Sequence, residues 1–305
     1  MTNFTHNNHL VYSIGGRDYG YRTNSIEKYS VSVGEIDSER YDASSYVDEL
    51  HRTAQLVRSD FGKDLVLFLS GGTDSEIVLR NFIATGFKPR CVTLRFKNDY
   101  NASDLVEAQA IANELGVKLD IIDIDIEDFY YSGEAKEFGE QIQCTQITYI
   151  MVYRSVLKLG APAVMGGEAL LTRQVNLNDS YWYYTLRENE DASAMRFSHK
   201  FGVPLVNEWF SYTPELLLHW LENPLVKELV TNRYNYKLNS ASSKNSILST
   251  LYKTRPKSKT HGFEKILDFN QEVYKELGRT QIKRLEANVD GIHYDTVIKQ
   301  LKGLA

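Results

Sequence analysis

From Leu65 to Phe82 the chain reads Leu-Val-Leu-Phe-Leu-Ser-Gly-Gly-Thr-Asp-Ser-Glu-Ile-Val-Leu-Arg-Asn-Phe, and few folds accommodate such a run. Leu65 to Leu69 is continuously apolar, the pattern of a strand buried on both faces of a parallel sheet. Ser70, Gly71, Gly72, Thr73, Asp74 and Ser75 form a tight polar turn, and Glu76 to Phe82 resumes with helical apolar spacing. A strand passing to a helix through two glycines leaves backbone N–H groups at the helix start without intrahelical partners. Their partial positive charge favours a phosphate. Asp74 would repel that phosphate unless a divalent cation lies between them. The turn is therefore read as a nucleoside triphosphate site.

The rest of the chain alternates in a way that builds a sheet around this strand. Residues 91–96 read as a second strand and Asp104 to Leu115 as a helix closed by Gly116. Lys118 to Ile126 reads as a third strand, Glu134 to Leu159 as one longer helix ending at Gly160, and residues 162–165 as a short strand entering Gly166-Gly167-Glu168. Such βα alternation predicts an α/β fold, a doubly wound parallel sheet whose ligands sit at the carboxyl ends of the strands. Ser70–Ser75, Arg95–Asp99 and Gly166–Glu168 are then expected to converge on one edge. Ahead of the sheet, residues 9–36 alternate as strands around a Gly15-Gly16-Arg17-Asp18 turn and a turn at Asn24-Ser25, with Tyr19 to Thr23 as one of the strands. Tyr46 to Arg58 has the spacing of an amphipathic helix. This divides the chain into a β appendage over residues 1–45 and a main domain over residues 46–305.

Residues 176–187 are polar and aromatic, and read either as a loop or lid beside the site or as a surface hairpin. From Phe201 the chain reads as helical, with Pro204, Pro214, Pro224 and Pro256 as boundaries and surface helices at 264–277 and 282–301. Residues 233–259 are the most basic stretch, against a net charge of -5 for the whole. That balance disfavours broad nucleic-acid binding. Two cysteines, Cys91 and Cys144, exclude a disulfide scaffold or a multi-cysteine zinc site and suggest buried thiols in a reducing compartment. No stretch approaches the roughly 20 apolar residues that span a bilayer, nor does the N-terminus read as a leader, so a cytoplasmic location is expected.

The loop is not Walker A, because no lysine closes it. Following an apolar strand and opening a helix, Ser-Gly-Gly-Thr-Asp-Ser resembles the PP-loop of the N-type ATP pyrophosphatases. That superfamily includes asparagine synthetase, β-lactam synthetase, GMP synthetase, NAD synthetase and several tRNA-modifying enzymes. Residues 101–116 resemble the asparagine-synthetase segment after the second strand. Gly166-Gly167-Glu168 lies where that branch carries a Gly-rich acidic loop, and Glu168 also fits as a helix-capping acid. Lys244-Asn-Ser-Ile-Leu248 with residues 254–263 resembles the C-terminal lysine stretch and Arg-Pro-Lys loop; a solvated face or a nucleic-acid patch is the plainer reading of that basic run. The matches span about residues 60–265.

The resemblance implies cleavage of ATP between its α- and β-phosphates, with magnesium as the metal. A carboxylate would become an acyl-adenylate, and ammonia or an amine would then displace AMP to give an amide. It implies that Ser70, Gly71, Gly72, Thr73, Asp74 and Ser75 hold pyrophosphate and that Asp74 and Glu168 carry magnesium. Lys257 would neutralise developing charge, Lys259 would stand behind it, and adenine would pack near Leu94. Asparagine synthetase also carries a glutaminase domain with a terminal cysteine. This chain opens Met1-Thr2 with about 60 residues before the strand. Ammonia would therefore come from solution or from a separate amidotransferase subunit. Two other readings remain: a PP-loop enzyme modifying a nucleic-acid base, and a non-catalytic ATP- or AMP-binding module.

Overall fold

Val66, Leu67 and Phe68 form the central strand, and their alternation puts side chains into two different cores. A computed structural model of the chain describes residues 10–14, 17–18, 29–142, 144, 147–167, 170–176, 179–185, 193–207, 209–231, 254 and 292–304. In order, the strands are β1 Leu10–Ile14, β2 Arg17–Asp18, β3 Tyr29–Val33, β4 Val66–Phe68, β5 Arg90–Phe96, β6 Leu119–Ile124, β7 Ala163–Val164, β8 Leu170–Asn176, β9 Asp179–Thr185, β10 Leu205–Val206 and β11 Ile292–His293. Leu65, Leu67 and Leu69 face one apolar cluster, while Val66 and Phe68 face another. Burial on both faces is why this strand is a continuous apolar run and not an alternating one.

The main sheet is parallel throughout, in the order β10-β7-β4-β5-β6. The chain leaves β4 toward β5 and β6, then returns to β4's other side with β7 and β10. The strand order thus reverses between β4 and β7, and the crevice at such a reversal is where ligands bind in open α/β sheets. Helices α2 Tyr46–Phe61, α3 Thr73–Ala84 and α4 Ala102–Leu115 bury their apolar faces in the first cluster, with α9 Pro214–Leu221 and α11 Tyr294–Leu301. Helices α5 Ile126–Tyr131, α6 Glu134–Ile142, α7 Ile147–Leu159 and α8 Ser193–Phe201 do so in the second. Both faces are covered, so the sheet is doubly wound as the sequence predicts. The expected cap at Gly116 holds, closing α4 with a left-handed φ of 62°; on α2, Ser45 with Asp48 forms a capping box that the sequence reading does not single out.

Between β5 and β7, two elements depart from the sequence reading. The third strand stops at Ile124 because Asp125 caps α5, its carboxylate accepting the Asp128 N–H at 3.1 Å. The single helix expected over 134–159 is two. The Ile142 carbonyl, at the end of α6, accepts the guanidinium Nε–H of buried Arg196 from α8 at 3.0 Å, and buried Cys144 follows before α7 starts. Arg196 satisfies a carbonyl that α6 leaves without a helical partner.

The N-terminal segment pairs as an antiparallel sheet, β2-β1-β3, but the hairpin partner of β1 is Arg17–Asp18, which the sequence reading puts in the turn: the chain reverses more tightly, between Ile14 and Arg17. Residues 19–23 and the turn at Asn24-Ser25 lie outside the described residues. A short helix that the sequence pattern does not announce, α1 Ser38–Ala43, follows, capped by Asp37. It is tied to the main body by charge: Arg40 pairs with buried Glu49 of α2 and buried Glu215 of α9, and the Asp37 N–H donates to Glu215 at 2.7 Å. Tyr41 and Lys302 converge on Glu222, at 2.6 and 2.7 Å. Burial holds the Glu49 carboxyl above the usual glutamate range, and the facing Arg40 works against that shift.

Residues 170–185 form the hairpin β8–β9, with β11 added to β9 as a third strand, so the aromatic stretch is a hairpin up to Thr185. After Phe201, β10 interrupts the helical run before α9 and α10 Pro224–Thr231, which begin at the expected prolines. The expected helix at 264–277 lies outside the described residues, as does the basic stretch except Thr254; of residues 282–301, α11 is the helix described. Among the described residues no helix is long and apolar enough to cross a membrane.

Cys91 and Cys144 are both buried, and neither is in a disulfide. Burial, with the Asp120 charge adding to it, pushes the Cys91 thiol up to about 12. The thiolate is the reactive form. Neither cysteine should react with a thiol-specific chromogenic reagent at pH 8 in the native protein, and both should react in denaturant. Rapid native labelling of either would contradict this burial.

Candidate functional site

The turn after β4 is shaped by two glycines with different duties. Gly71 has φ +75°, a region that L side chains rarely adopt, and a Cβ there would lie 2.6 Å from the Asp104 carbonyl oxygen and 3.0 Å from the Ala108 nitrogen. Helix α4 therefore packs directly on the loop backbone. Gly72 occupies the N-cap position of α3 in extended conformation and provides no side-chain cap. The start of this 12-residue helix thus carries no side-chain cap, and an uncapped helix start is an arrangement that suits an anion.

Serine hydroxyls brace the loop from inside. Ser75, 2% exposed, accepts from the Ser70 N–H at 3.2 Å and donates to the Gly72 carbonyl at 3.1 Å. The Ser70 hydroxyl lies 3.2 Å from that of Ser75 and accepts from the Gly72 N–H at 3.4 Å. Ser75 is therefore spent on holding the loop, whereas Ser70 and partly exposed Thr73 stand at its mouth. The first turn of α3 carries two acids with different surroundings. Glu76 is buried and bonded twice by Arg80, at 2.9 and 2.7 Å, and Arg80 also reaches Glu114. Asp74 is partly exposed at the loop mouth.

Two of the three segments predicted to converge meet here. A Cβ on Gly166 would lie 2.6 Å from the Ser75 nitrogen and 2.9 Å from the Asp74 Cβ; one on Gly167 would lie 1.3 Å from the Asn207 carbonyl oxygen. The Met165 N–H donates to Val206 at 2.8 Å, which places the two glycines beside the end of β10. The backbone of residues 165–167 is thus wedged between the start of α3 and Asn207, at the reversal of strand order. Sequence reading identified Gly166 and Gly167 but had no signal for Asn207.

The third segment lies on the other side of β4. Arg95 pairs with Asp123 across β5 and β6, its Nη2 donating at 2.9 Å, and Lys97 pairs with Asp125. With Asp99 they line a groove of about 290 Å3 at the carboxyl ends of these strands. Asn98 and Asp99 both have positive φ, 64° and 54°, an uncommon conformation that Asn and Asp tolerate better than most residues. Leu94 is buried, 8% exposed, and its carbonyl accepts from the Asn101 side chain at 2.8 Å. The sequence places Asn101 only at the head of the segment 101–116 that resembles asparagine synthetase, ahead of a helix expected from Asp104. Of the remaining candidates, Glu168, Lys257 and Lys259 lie outside the described residues. Among the described residues there is no group of three or more His, Cys, Asp or Glu side chains that could hold a metal ion.

No protein-family model matches the chain, and no curated protein matches it. Solved structures overlap it loosely. NMN synthetase from Francisella tularensis is 15% identical, with 82% of this chain and 97% of that one covered at a TM-score of 0.33. The NH3-dependent NAD synthetase from Campylobacter jejuni subsp. jejuni is 12% identical, covering 81% and 96% at a TM-score of 0.35. A predicted subunit of tRNA methyltransferase from Methanocaldococcus jannaschii is 14% identical, covering 64% and 93% at a TM-score of 0.31. Likeness at this level carries no functional argument.

Proposed function

We propose that the chain is an ATP-dependent ligase that releases AMP and pyrophosphate, adenylating a carboxylate and forming an amide with ammonia or an amine. One observation carries the reading: a glycine-built, serine-braced helix start, without a lysine, opens beside an acid at the sheet's reversal point. A loop without the Walker lysine suits phosphates that leave as a unit.

In this reading the carboxylate substrate attacks the α-phosphorus, and the bond to the bridging oxygen breaks toward pyrophosphate. The amides at the start of α3 and the Ser70 hydroxyl hold the leaving group. Each charge-assisted hydrogen bond of this kind contributes about 1.5–3 kcal/mol, and preorganised donors keep that contribution in the transition state. Asp74 fits magnesium by chemistry: that ion takes one or two carboxylates and completes its shell with phosphate oxygens and water. When bound, magnesium neutralises charge on the phosphates. Glu168 is the second carboxylate proposed for it, Lys257 the group that neutralises the reacting centre, and Lys259 its neighbour in support. The nucleoside end lies toward Leu94 and the groove at the ends of β5 and β6. The partners are a small-molecule carboxylate and ammonia or an amine, with a separate amidotransferase subunit as a further source.

The test is pyrophosphate release from ATP in the presence of magnesium, with pools of amino acids, small carboxylates, RNA or DNA. Stimulation by a carboxylate pool, with AMP formed in equal amount, is the expected result. Stimulation by polynucleotide alone would reassign the chain to base modification. Binding of ATP without turnover in any pool would leave it a nucleotide-binding module.

A further inference from the structure

Strand β5 runs on where β4 has ended. The last hydrogen bond between them passes from the Leu69 N–H to the Val92 carbonyl, at 2.8 Å, so Val92 turns its backbone polar groups toward β4. Backbone groups alternate sides along a strand. Leu94 and Phe96 therefore turn theirs the same way, past the end of β4 and toward the turn at Ser70–Gly72. Asn101 occupies this edge. Its Nδ2 donates to the Leu94 carbonyl at 2.8 Å, its Oδ1 accepts the Phe96 N–H at 2.9 Å, and the residue is 4% exposed. Asn101 sits at the N-cap position of α4, where an asparagine side chain ordinarily bonds the helix amides, yet it makes no capping bond. The side chain is committed to the strand edge instead.

We propose that this carbonyl and N–H form the base-reading edge of the nucleotide site, and that Asn101 is its internal occupant, displaced only by a 6-aminopurine. The inference rests on the ATP reading above. A carboxamide offers one donor and one acceptor side by side, and so does adenine through its 6-amino group and N1. Hypoxanthine presents the reverse, a donor at N1 and an acceptor at O6, which would set carbonyl against carbonyl and N–H against N–H. The edge is also close to the phosphate loop: α4 starts at this asparagine, and its Asp104 carbonyl contacts Gly71. Exchange of the tethered amide for adenine conserves the two hydrogen bonds. Occupancy by Asn101 therefore lowers apparent affinity by the fraction of molecules in which the edge is free.

The test compares AMP, IMP and inorganic pyrophosphate by calorimetry, on the wild-type protein and on Asn101→Ala. In Asn101→Ala we expect AMP to bind about tenfold more tightly, the scale of one recovered hydrogen-bond contribution, with IMP and pyrophosphate unchanged. Nitrogen-15 spectra of the wild-type protein supply a second readout independent of how well the variant folds. AMP should shift the Asn101 side-chain NH2 resonances, and IMP should not. Equal binding of AMP and IMP with the Asn101 signal unmoved would overturn the self-occupied edge while leaving the phosphate site standing. Parallel loss of AMP and IMP affinity in Asn101→Ala would also overturn it, making the residue a structural brace. Failure of all three probes to bind the wild-type protein would remove the ATP reading and this inference together.

Discussion

Gly71→Ala is expected to lower the stability of the chain by roughly 3 kcal/mol and to abolish pyrophosphate release. Two costs add. A left-handed backbone costs an L residue about 1–2 kcal/mol, and forcing a methyl group into packed surroundings costs about 1–3 kcal/mol more. The second cost is not avoidable by rotating a side chain, because the obstructing atom 2.6 Å away is the backbone oxygen of Asp104. Either α4 or the loop has to move, and movement of the loop carries the helix start with it. Gly86→Ala is the control: its φ is +77°, but a Cβ would find nothing within 4 Å, so only the conformational cost applies. Unfolding free energies of the two variants from urea titration should therefore differ by about the packing cost. Equal losses in the two would show that α4 does not rest on the loop.

That close approach marks the limit of what the sequence conveys. The strand, turn and helix at residues 65–82 are legible because their causes are local: five apolar residues, two glycines, then helical spacing. The alternation of strands and helices after it is legible for the same reason. The break between α6 and α7 is not, because the group that receives the Ile142 carbonyl is Arg196, far along the chain. Neither the 142–147 segment nor its neighbours contain a proline that would signal a stop. In the site, Gly166 and Gly167 can be picked out as residues, but their reason is tertiary: Gly166 approaches the Ser75 nitrogen and Gly167 the Asn207 carbonyl. Asn101 has no local signal for its role: it stands at the N-cap position of α4, and the strand edge has taken its side chain. Glu168, Lys257 and Lys259 lie outside the described residues and stand on the resemblance to the PP-loop enzymes.

Asp74→Ala should reduce pyrophosphate release from ATP by at least about a thousandfold, the kinetic equivalent of roughly 4 kcal/mol of lost transition-state stabilisation, while the protein stays folded. The two acids at the start of α3 make this separable from a general loss of structure. Asp74 is partly exposed, and the favourable interaction of an anion with the helix start that its removal forfeits is about 0.3–1 kcal/mol. Glu76 is buried and paired with Arg80, and its removal leaves a partly exposed guanidinium short of a partner. Breaking such a pair from one side costs about 3–5 kcal/mol, although Arg80 retains Glu114 and the loss should sit at the low end. Glu76→Gln should therefore lower the unfolding midpoint and retain turnover below it, whereas Asp74→Ala should retain the midpoint and lose turnover. The measurement is a pair of thermal melts with a pyrophosphate assay at a temperature where both variants are folded. Turnover surviving in Asp74→Ala would remove the acid from the chemistry and, with it, the magnesium assigned to the mouth of the loop. Turnover lost in Glu76→Gln at full folding would give a part in the chemistry to the carboxylate that Arg80 holds.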